Sequence, residues 1–338
     1  MTRRNICIPR IVLPDRTVAL KPKIGEFPTD VTRMEIAPDR SAVAVGRPGG
    51  SILVFDATTG RERFTVDRPK TNSSAFGFSH NGQHLAFVAA EPSGEHIVRV
   101  VSAAEGTSYQ RLTVRSGKLA NAGALTYSPD GQRLAVSSTE TFASNRSRSR
   151  IHRWQLADGD PEPRALDALE WQDGTIEAMR FTVFGTEVLA ASRNRGTAAV
   201  WKWDTKEFGA LLEEKAPLAL LAAGQRMNFV AEAGESPQLW SWRRGQDRWA
   251  SANSRPLGPI RSASLAIGPD DELVAIGTQG RGNGTWEHRT AVWLWRQSSY
   301  QAMLLGHTDT VLDVTFADDG KSILSASKDG TLRFWKLP

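Results

Sequence analysis

Close to its C-terminus the chain brings together His307, Ser327 and Asp329, which are the residue types of a hydrolytic triad. In such a triad the serine attacks a carbonyl, the histidine takes the serine proton, and the carboxylate orients the imidazole. Trp335 follows. A buried indole N–H needs an acceptor, which a hydroxyl can supply while the imidazole bridges onward to the carboxylate. These residues therefore suit either a hydrolase or a buried hydrogen-bond network.

Other residues that could do chemistry are less organised. The glycines that begin at Gly280 are spaced loosely like a dinucleotide-binding fingerprint, but they open no predicted helix. Asp270, Asp271 and Glu272 fall in a turn, where carboxylates are usually solvated, and the six histidines share no common position. Cys7 is the only cysteine, which excludes an intramolecular disulfide and a CxxC pair. We expect no cofactor and no metal.

Three apolar runs near the C-terminus predict three short strands joined by tight turns: Val311 to Phe316, Ile323 to Ser327 and Leu332 to Leu337. Weaker copies of this pattern recur, with turns from Pro38 to Asp318 spaced about 47 residues apart. The copies are MEIAPDRSAVAVG, FGFSHNGQHLAFVA, LTYSPDGQRLAVSS, MRFTVFGTEVLAAS, LALLAAGQRMNFVA and LAIGPDDELVAIG.

A third strand also aligns in every unit, and seven units result. The aligned segments are ILVF, VRVV, IHRW, VWKW, LWSW, VWLW and LRFW. A large residue usually ends the segment, and we interpret the tryptophans here as packing residues between neighbouring sheets.

The last unit resembles a WD40 repeat in its Gly306-His307 start, its Asp-Gly turn and its closing Trp335. The resemblance implies an all-β, seven-bladed β-propeller in which His307, Ser327, Asp329 and Trp335 form a structural network rather than a catalytic site. The other units lack the full set, so their blades should depend mainly on packing.

We expect one domain, residues 1–338, closed by the N-terminal segment (6–21). Because unit seven lacks a fourth strand, a strand from Arg16 to Lys21 should pair with Leu332 to Leu337, and Ile6 to Leu13 is the competing choice. The expected blades are approximately 31–69, 75–113, 124–166, 176–212, 217–255, 260–306 and 311–337.

In such meanders the connections after each second strand share one face with the connections between blades. Cations gather in these connections, and arginine rather than lysine favours forked recognition of carboxylate or phosphate. Trp286 could act as an aromatic anchor. The partner-binding candidates are Arg47, Arg146, Arg148, Arg150, Arg193, Arg195, Arg281, Trp286 and Arg289.

The composition, with 40% hydrophobic and 23% charged residues and no long apolar run, predicts a soluble, cytoplasmic protein without a membrane segment. The net charge of +5 favours acidic partners. We predict a non-catalytic scaffold or adaptor that binds an acidic or phosphorylated protein segment on the arginine-rich face. Nucleic-acid binding is the alternative, and a hydrolase at the channel mouth is the third hypothesis.

Overall fold

In the computed structural model every regular element of the described residues is a β-strand. The structure describes residues 10–337 except 69–72, 74, 115–116, 120, 142–146, 157–162, 172–173, 193–194, 214–217, 233–237, 244–245, 247–248, 252–260, 281–289 and 297–298. Across these residues no helix is long and apolar enough to cross a membrane.

Two N-terminal strands precede the blades: β1 (Arg10–Val12) and β2 (Arg16–Ala19). Blades one to three consist of β3 (Arg33–Ile36), β4 (Ala42–Gly46), β5 (Ile52–Asp56) and β6 (Glu62–Val66); β7 (Phe76–Phe78), β8 (His84–Ala90), β9 (His96–Ser102) and β10 (Ser108–Leu112); and β11 (Leu125–Tyr127), β12 (Arg133–Thr141), β13 (Ser147–Gln155) and β14 (Arg164–Trp171).

Blades four to six consist of β15 (Ile176–Phe181), β16 (Glu187–Ser192), β17 (Thr197–Lys202) and β18 (Phe208–Glu213); β19 (Leu218–Ala223), β20 (Met227–Glu232), β21 (Leu239–Arg243) and β22 (Ala250–Ser251); and β23 (Arg261–Ile267), β24 (Leu273–Gln279), β25 (Ala291–Arg296) and β26 (Ser299–Leu305). Blade seven contains β27 (Val311–Phe316), β28 (Ser322–Ser327) and β29 (Thr331–Lys336).

The seven sheets form a closed ring. Each blade is an antiparallel meander, and the first strand of every blade contacts the first strand of the next, including β27 with β3. These first strands therefore surround a central channel. The predicted all-β, seven-bladed propeller is confirmed.

The apolar core is divided among the junctions between blades. The clusters of buried side chains each join two neighbouring blades, because both faces of a blade's sheet are covered by the sheets beside it. Trp154, Trp203 and Trp335, which end the aligned third-strand segments of their blades, are among the largest fully buried side chains. The tryptophans that end the third strands thus pack between blades, as the sequence pattern indicates.

The N-terminal strand β2 completes blade seven. It pairs antiparallel with β29, with Arg16 opposite Phe334 and Ala19 opposite Thr331. Val18 is buried in the cluster that joins blades seven and one. The predicted closure by a strand beginning at Arg16 is therefore confirmed.

The competing N-terminal segment has a different position. Its residues Arg10–Val12 form β1, which pairs in parallel with β26 and adds a fifth strand to blade six. Residues 6–9 of that segment lie outside the described residues. The N-terminal chain therefore joins the outer edges of two neighbouring blades.

Candidate functional site

In blade seven the imidazole of His307 links a carboxylate to a hydroxyl. Its Nδ1 lies 2.9 Å from Asp329 Oδ2 and its Nε2 lies 2.8 Å from Ser325 Oγ. Trp335 Nε1 donates to the same Ser325 Oγ at 2.8 Å. The chain of bonds runs from indole to hydroxyl to imidazole to carboxylate.

The serine of this network is Ser325, so the expectation of Ser327 was wrong. Residues 325 and 327 lie on the same face of β28 because side chains alternate with a period of two. Ser327 is nearer the turn, where its Oγ donates to the carbonyl of Asp309 at 2.8 Å and accepts from Asp329 N. The sequence pattern does not distinguish the serine that accepts from the indole N–H of Trp335.

The network is closed to substrates. The side chains of His307 and Asp329 are only 1% and 5% exposed, and Ser325 is fully buried. Burial lowers the pKa of His307 against the opposing effect of Asp329. Although burial alone would raise the pKa of Asp329, its bonds to His307, Thr331 and Thr308 hold that pKa well below its ordinary value. A neutral imidazole beside an ionised carboxylate fits a structural role for this trio.

Blade three carries a partial counterpart of the network. Ser138 Oγ lies 2.8 Å from His152 Nε2, but Trp154 Nε1 donates to the carbonyl of Thr113 instead of to a serine. Burial, with a contribution from Arg150, lowers the pKa of His152 to about 4. The histidine is thus neutral near pH 7.

Polar side chains also bond across the junctions between blades. The expectation that the blades other than blade seven depend mainly on packing missed these links, which no repeat pattern marks. The links are Glu35 to Phe78 N (3.2 Å), Ser73 to Ala122 O (3.0 Å), Ser137 to Ile176 O (3.0 Å), Ser264 to Val311 O (3.0 Å), Asp313 to Ile36 N (2.7 Å) and Asp271 to Gln225 N (2.7 Å).

Two arginines add to these links. Arg63 bonds Asp56 and the carbonyl of Ser41 in blade one and also reaches the carbonyl of Ala103 in blade two at 3.2 Å. Arg153 of blade three donates to the carbonyl of Trp203 in blade four, and its guanidinium lies 5.1 Å from that ring centroid. Each guanidinium therefore ties one blade to the next.

We call the face that carries the connections after each second strand, and the connections between blades, the loop face. The opposite face, with the tight turns after each first strand, is the turn face. The loop face carries every predicted partner-binding residue that the structure describes. Arg146, Arg193, Arg281, Trp286 and Arg289 lie outside the described residues.

The four described candidates differ in their surroundings. Arg148 and Arg195 are exposed. Arg47 forms an ion pair with Asp30 at 3.1 Å, and both side chains are largely exposed. Arg150 is 17% exposed and lies 3.0 Å from Glu140 and 3.6 Å from Glu170, so blade three already compensates its charge.

Blade three has the two longest strands among the described residues, and both lie next to this region. β12 and β13 each have nine residues, and Glu140 stands opposite Arg148 in the register. The connection that the sequence indicated from Thr139 onward is therefore mostly a β-hairpin, which holds Arg148 on a regular strand.

The central channel holds a larger cavity at the turn face and a smaller one at the loop face. Their volumes are 630 Å³ and 220 Å³, and we call them the wide end and the narrow end. Glu35, Arg180 and Asp313 line both ends and therefore lie where the two meet. Every blade contributes to the wide mouth through its tight turn: Pro38, His80, Pro129, Val183, Gln225, Pro269 and Asp318.

Asp313 is an acid whose proton affinity is raised in the folded protein. Its two oxygens accept from Ile36 N at 2.7 Å and from Val314 N at 2.9 Å. Burial, with a smaller effect of Glu35, raises the pKa of Asp313 to about 6, above the ordinary value near 3.9. Folding therefore favours the protonated carboxyl, and this contribution to stability is lost as pH rises from about 4 to about 6.

We expect Asp313→Asn to remove this pH dependence. The free energy of unfolding of the variant, relative to the unsubstituted protein, should rise between pH 4 and pH 7. Two pKa units represent about 3 kcal/mol, but Asp313 borders the channel, so we expect about 1–2 kcal/mol. Urea unfolding at several pH values measures the difference. A difference that stays constant over this range would contradict the assignment.

Stability must be compared between the variant and the unsubstituted protein because two buried histidines change stability with pH in the direction opposite to Asp313. Burial lowers the pKa values of His152 and His307, so protonating them at low pH favours unfolding. Both histidines are present in each protein, and their effects cancel in the difference.

Comparisons with known proteins agree with this architecture. The family model described as WD domain, G-beta repeat, matches residues 298–336. The cell division cycle 20.1 protein of Arabidopsis thaliana, described as a cofactor of the APC complex, is 22% identical over 93% of the chain and 56% of its own length. The WD repeat-containing protein srw1 of Schizosaccharomyces pombe is 40% identical over 16% of the chain and 10% of its own length.

A solved structure has the same fold. A chain in the crystal structure of the mitotic checkpoint complex matches with a TM-score of 0.70 at 15% identity, covering all of this chain and 95% of that one. The aligned region spans little more than half of the Arabidopsis relative and a tenth of the yeast one. With the closed ring, these likenesses show that the chain is a seven-bladed β-propeller whose last blade matches the WD-repeat model.

Proposed function

We propose that this propeller is a non-catalytic scaffold that binds an acidic or phosphorylated segment of a protein partner on its loop face. The observation that carries the proposal is the exposure of Arg148 and Arg195 on the loop faces of neighbouring blades three and four. A guanidinium presents a planar fork of donors that matches a carboxylate or phosphate.

The relatives support an interaction role in general. One is described as a cofactor of the APC complex, and the structural neighbour belongs to the mitotic checkpoint complex. Both descriptions concern assemblies of proteins. Ser325 supports the non-catalytic part of the proposal. Its buried hydroxyl is bonded to Trp335 and His307 and cannot reach a substrate.

The test is the double variant Arg148→Glu with Arg195→Glu, compared with the unsubstituted chain by affinity capture from the native source and mass spectrometry. We expect capture of the bound partner to fall at least fivefold, because like charges now face its acidic segment. Arg150 stays unchanged, since a glutamate beside Glu140 and Glu170 would disturb blade three itself.

The matched control is Arg226→Glu with Lys321→Glu, which reverses two exposed cations on the turn face. This control should retain capture. Phosphatase treatment of the lysate distinguishes a phosphorylated segment from one rich in carboxylates, and nuclease treatment detects a bridging nucleic acid. Equal capture by both double variants would refute binding on the loop face, and loss of capture after nuclease treatment would favour the nucleic-acid alternative.

A further inference from the structure

The wide end of the central channel is a cavity of a size that suits a small molecule. Its 630 Å³ lies within the usual range for ligand pockets, and all seven blades line it. Its walls combine apolar groups from prolines and aromatic residues with a few charged side chains. The chemistry of those charged groups decides which ligand would fit.

Two of the charged side chains at the narrowing compensate each other. Arg33 Nη2 lies 2.7 Å from Glu35 Oε2, and the other oxygen of Glu35 accepts from Phe78 N. The guanidinium of Arg33 also lies 5.0 Å from the centroid of the Phe76 ring. This pair is therefore held within blade one and at its junction with blade two.

The third charged group is likewise occupied. Both oxygens of Asp313 accept main-chain N–H groups, one in its own strand and one in blade one. Asp313 interacts electrostatically with Arg180 but lies beyond ion-pair distance from it. Its carboxylate is thus directed at the main chain and not at the guanidinium.

Asp271 and Asp318 also line the wide end. The oxygens of Asp271 accept main-chain N–H groups of blade five, and Asp318 interacts electrostatically with Arg40.

Among the described residues that line the wide end, Arg180 is the only arginine or lysine. Within the described part of the chain it makes no hydrogen bond or ion pair. It lies in β15, and Thr126, Ala222 and Ala266 of three other first strands also line the cavity. Their small side chains leave the cavity open.

We propose that the wide end of the channel binds a small anionic molecule whose carboxylate or phosphate is held by Arg180. A guanidinium in a concave site with low-dielectric walls attracts an anion strongly and can donate two parallel hydrogen bonds. The apolar wall around it would receive the uncharged body of the ligand. The site opens on the turn face, so it is separate from the loop face proposed above.

The test uses benzoate and phenyl phosphate as probes, titrated into the full chain by calorimetry, with benzyl alcohol as the neutral comparison. We expect saturable one-site binding of at least one anion and none of the alcohol. Arg180→Gln should weaken binding at least tenfold. Lys321→Gln removes an exposed cation of the turn face outside the cavity and should leave binding unchanged.

A second variant tests the cavity without altering its charge. Ala266 lines the cavity, so Ala266→Phe should reduce the cavity volume and weaken binding at least tenfold. Urea unfolding of both variants verifies that the ring is intact. The absence of saturable binding to the unsubstituted chain would overturn the proposal. Equal binding by folded Arg180→Gln, or by folded Ala266→Phe, would also overturn it.

Discussion

Replacing Val18 by aspartate should destabilise the propeller by about 3–5 kcal/mol, because it places an unpaired charge in a buried apolar cluster. Val18 is 6% exposed and lies in the cluster that includes Leu324 and Leu332 of blade seven. The same strand closes the ring, so its release would also expose the edge of β29. Urea unfolding followed by tryptophan fluorescence measures the loss.

Thr17→Asp is the matched control for this prediction. Thr17 is the neighbouring residue of β2 and points to solvent, so the same charge there should change stability by less than about 1 kcal/mol. Equal stability of the two variants would show that β2 does not close the ring in solution. A greater loss of stability for the Thr17 variant would show that Thr17, and not Val18, faces the interior of the ring.

Closure by the N-terminus was predictable because it follows from counting strands. Blade seven had three strands in the sequence, and a sheet edge left open between neighbours requires a partner. The position of β1 on blade six could not be predicted in this way. Its residues Arg10–Val12 pair in parallel with a strand that already completes a four-stranded blade, and no unfilled edge in the sequence calls for them.

For the candidate binding residues, the sequence could predict the face of the ring on which each one lies, but not the contacts that each one makes. Connections after second strands reach one face whatever their sequence, so the placement of Arg148 and Arg195 followed from the meander. The pairing of Arg150 with Glu140 and Glu170 did not, because it depends on hairpin length and register. Arg180 was missed for a similar reason: its isolation depends on the bonds made by Arg33, Glu35 and Asp313.

The blade-seven network shows how far a sequence motif can assign atoms. The residue types were identified correctly, yet two serines two positions apart share one face of β28, and only distances distinguish them. Ser325 Oγ accepts the Trp335 indole and bonds His307, whereas Ser327 Oγ bonds main-chain groups beside the turn. The two serines should therefore differ in their contribution to stability.

We expect Ser325→Ala to lower the free energy of unfolding by about 2–4 kcal/mol, because the buried Trp335 N–H loses its acceptor and His307 Nε2 loses its donor. Ser327→Ala should cost less, about 1–2 kcal/mol, since it removes bonds to the carbonyl of Asp309 and the N–H of Asp329 but leaves Trp335 and His307 paired. Urea unfolding of both variants gives the comparison. If Ser327→Ala proved the more damaging, the hydroxyl of the network would be assigned to the wrong residue.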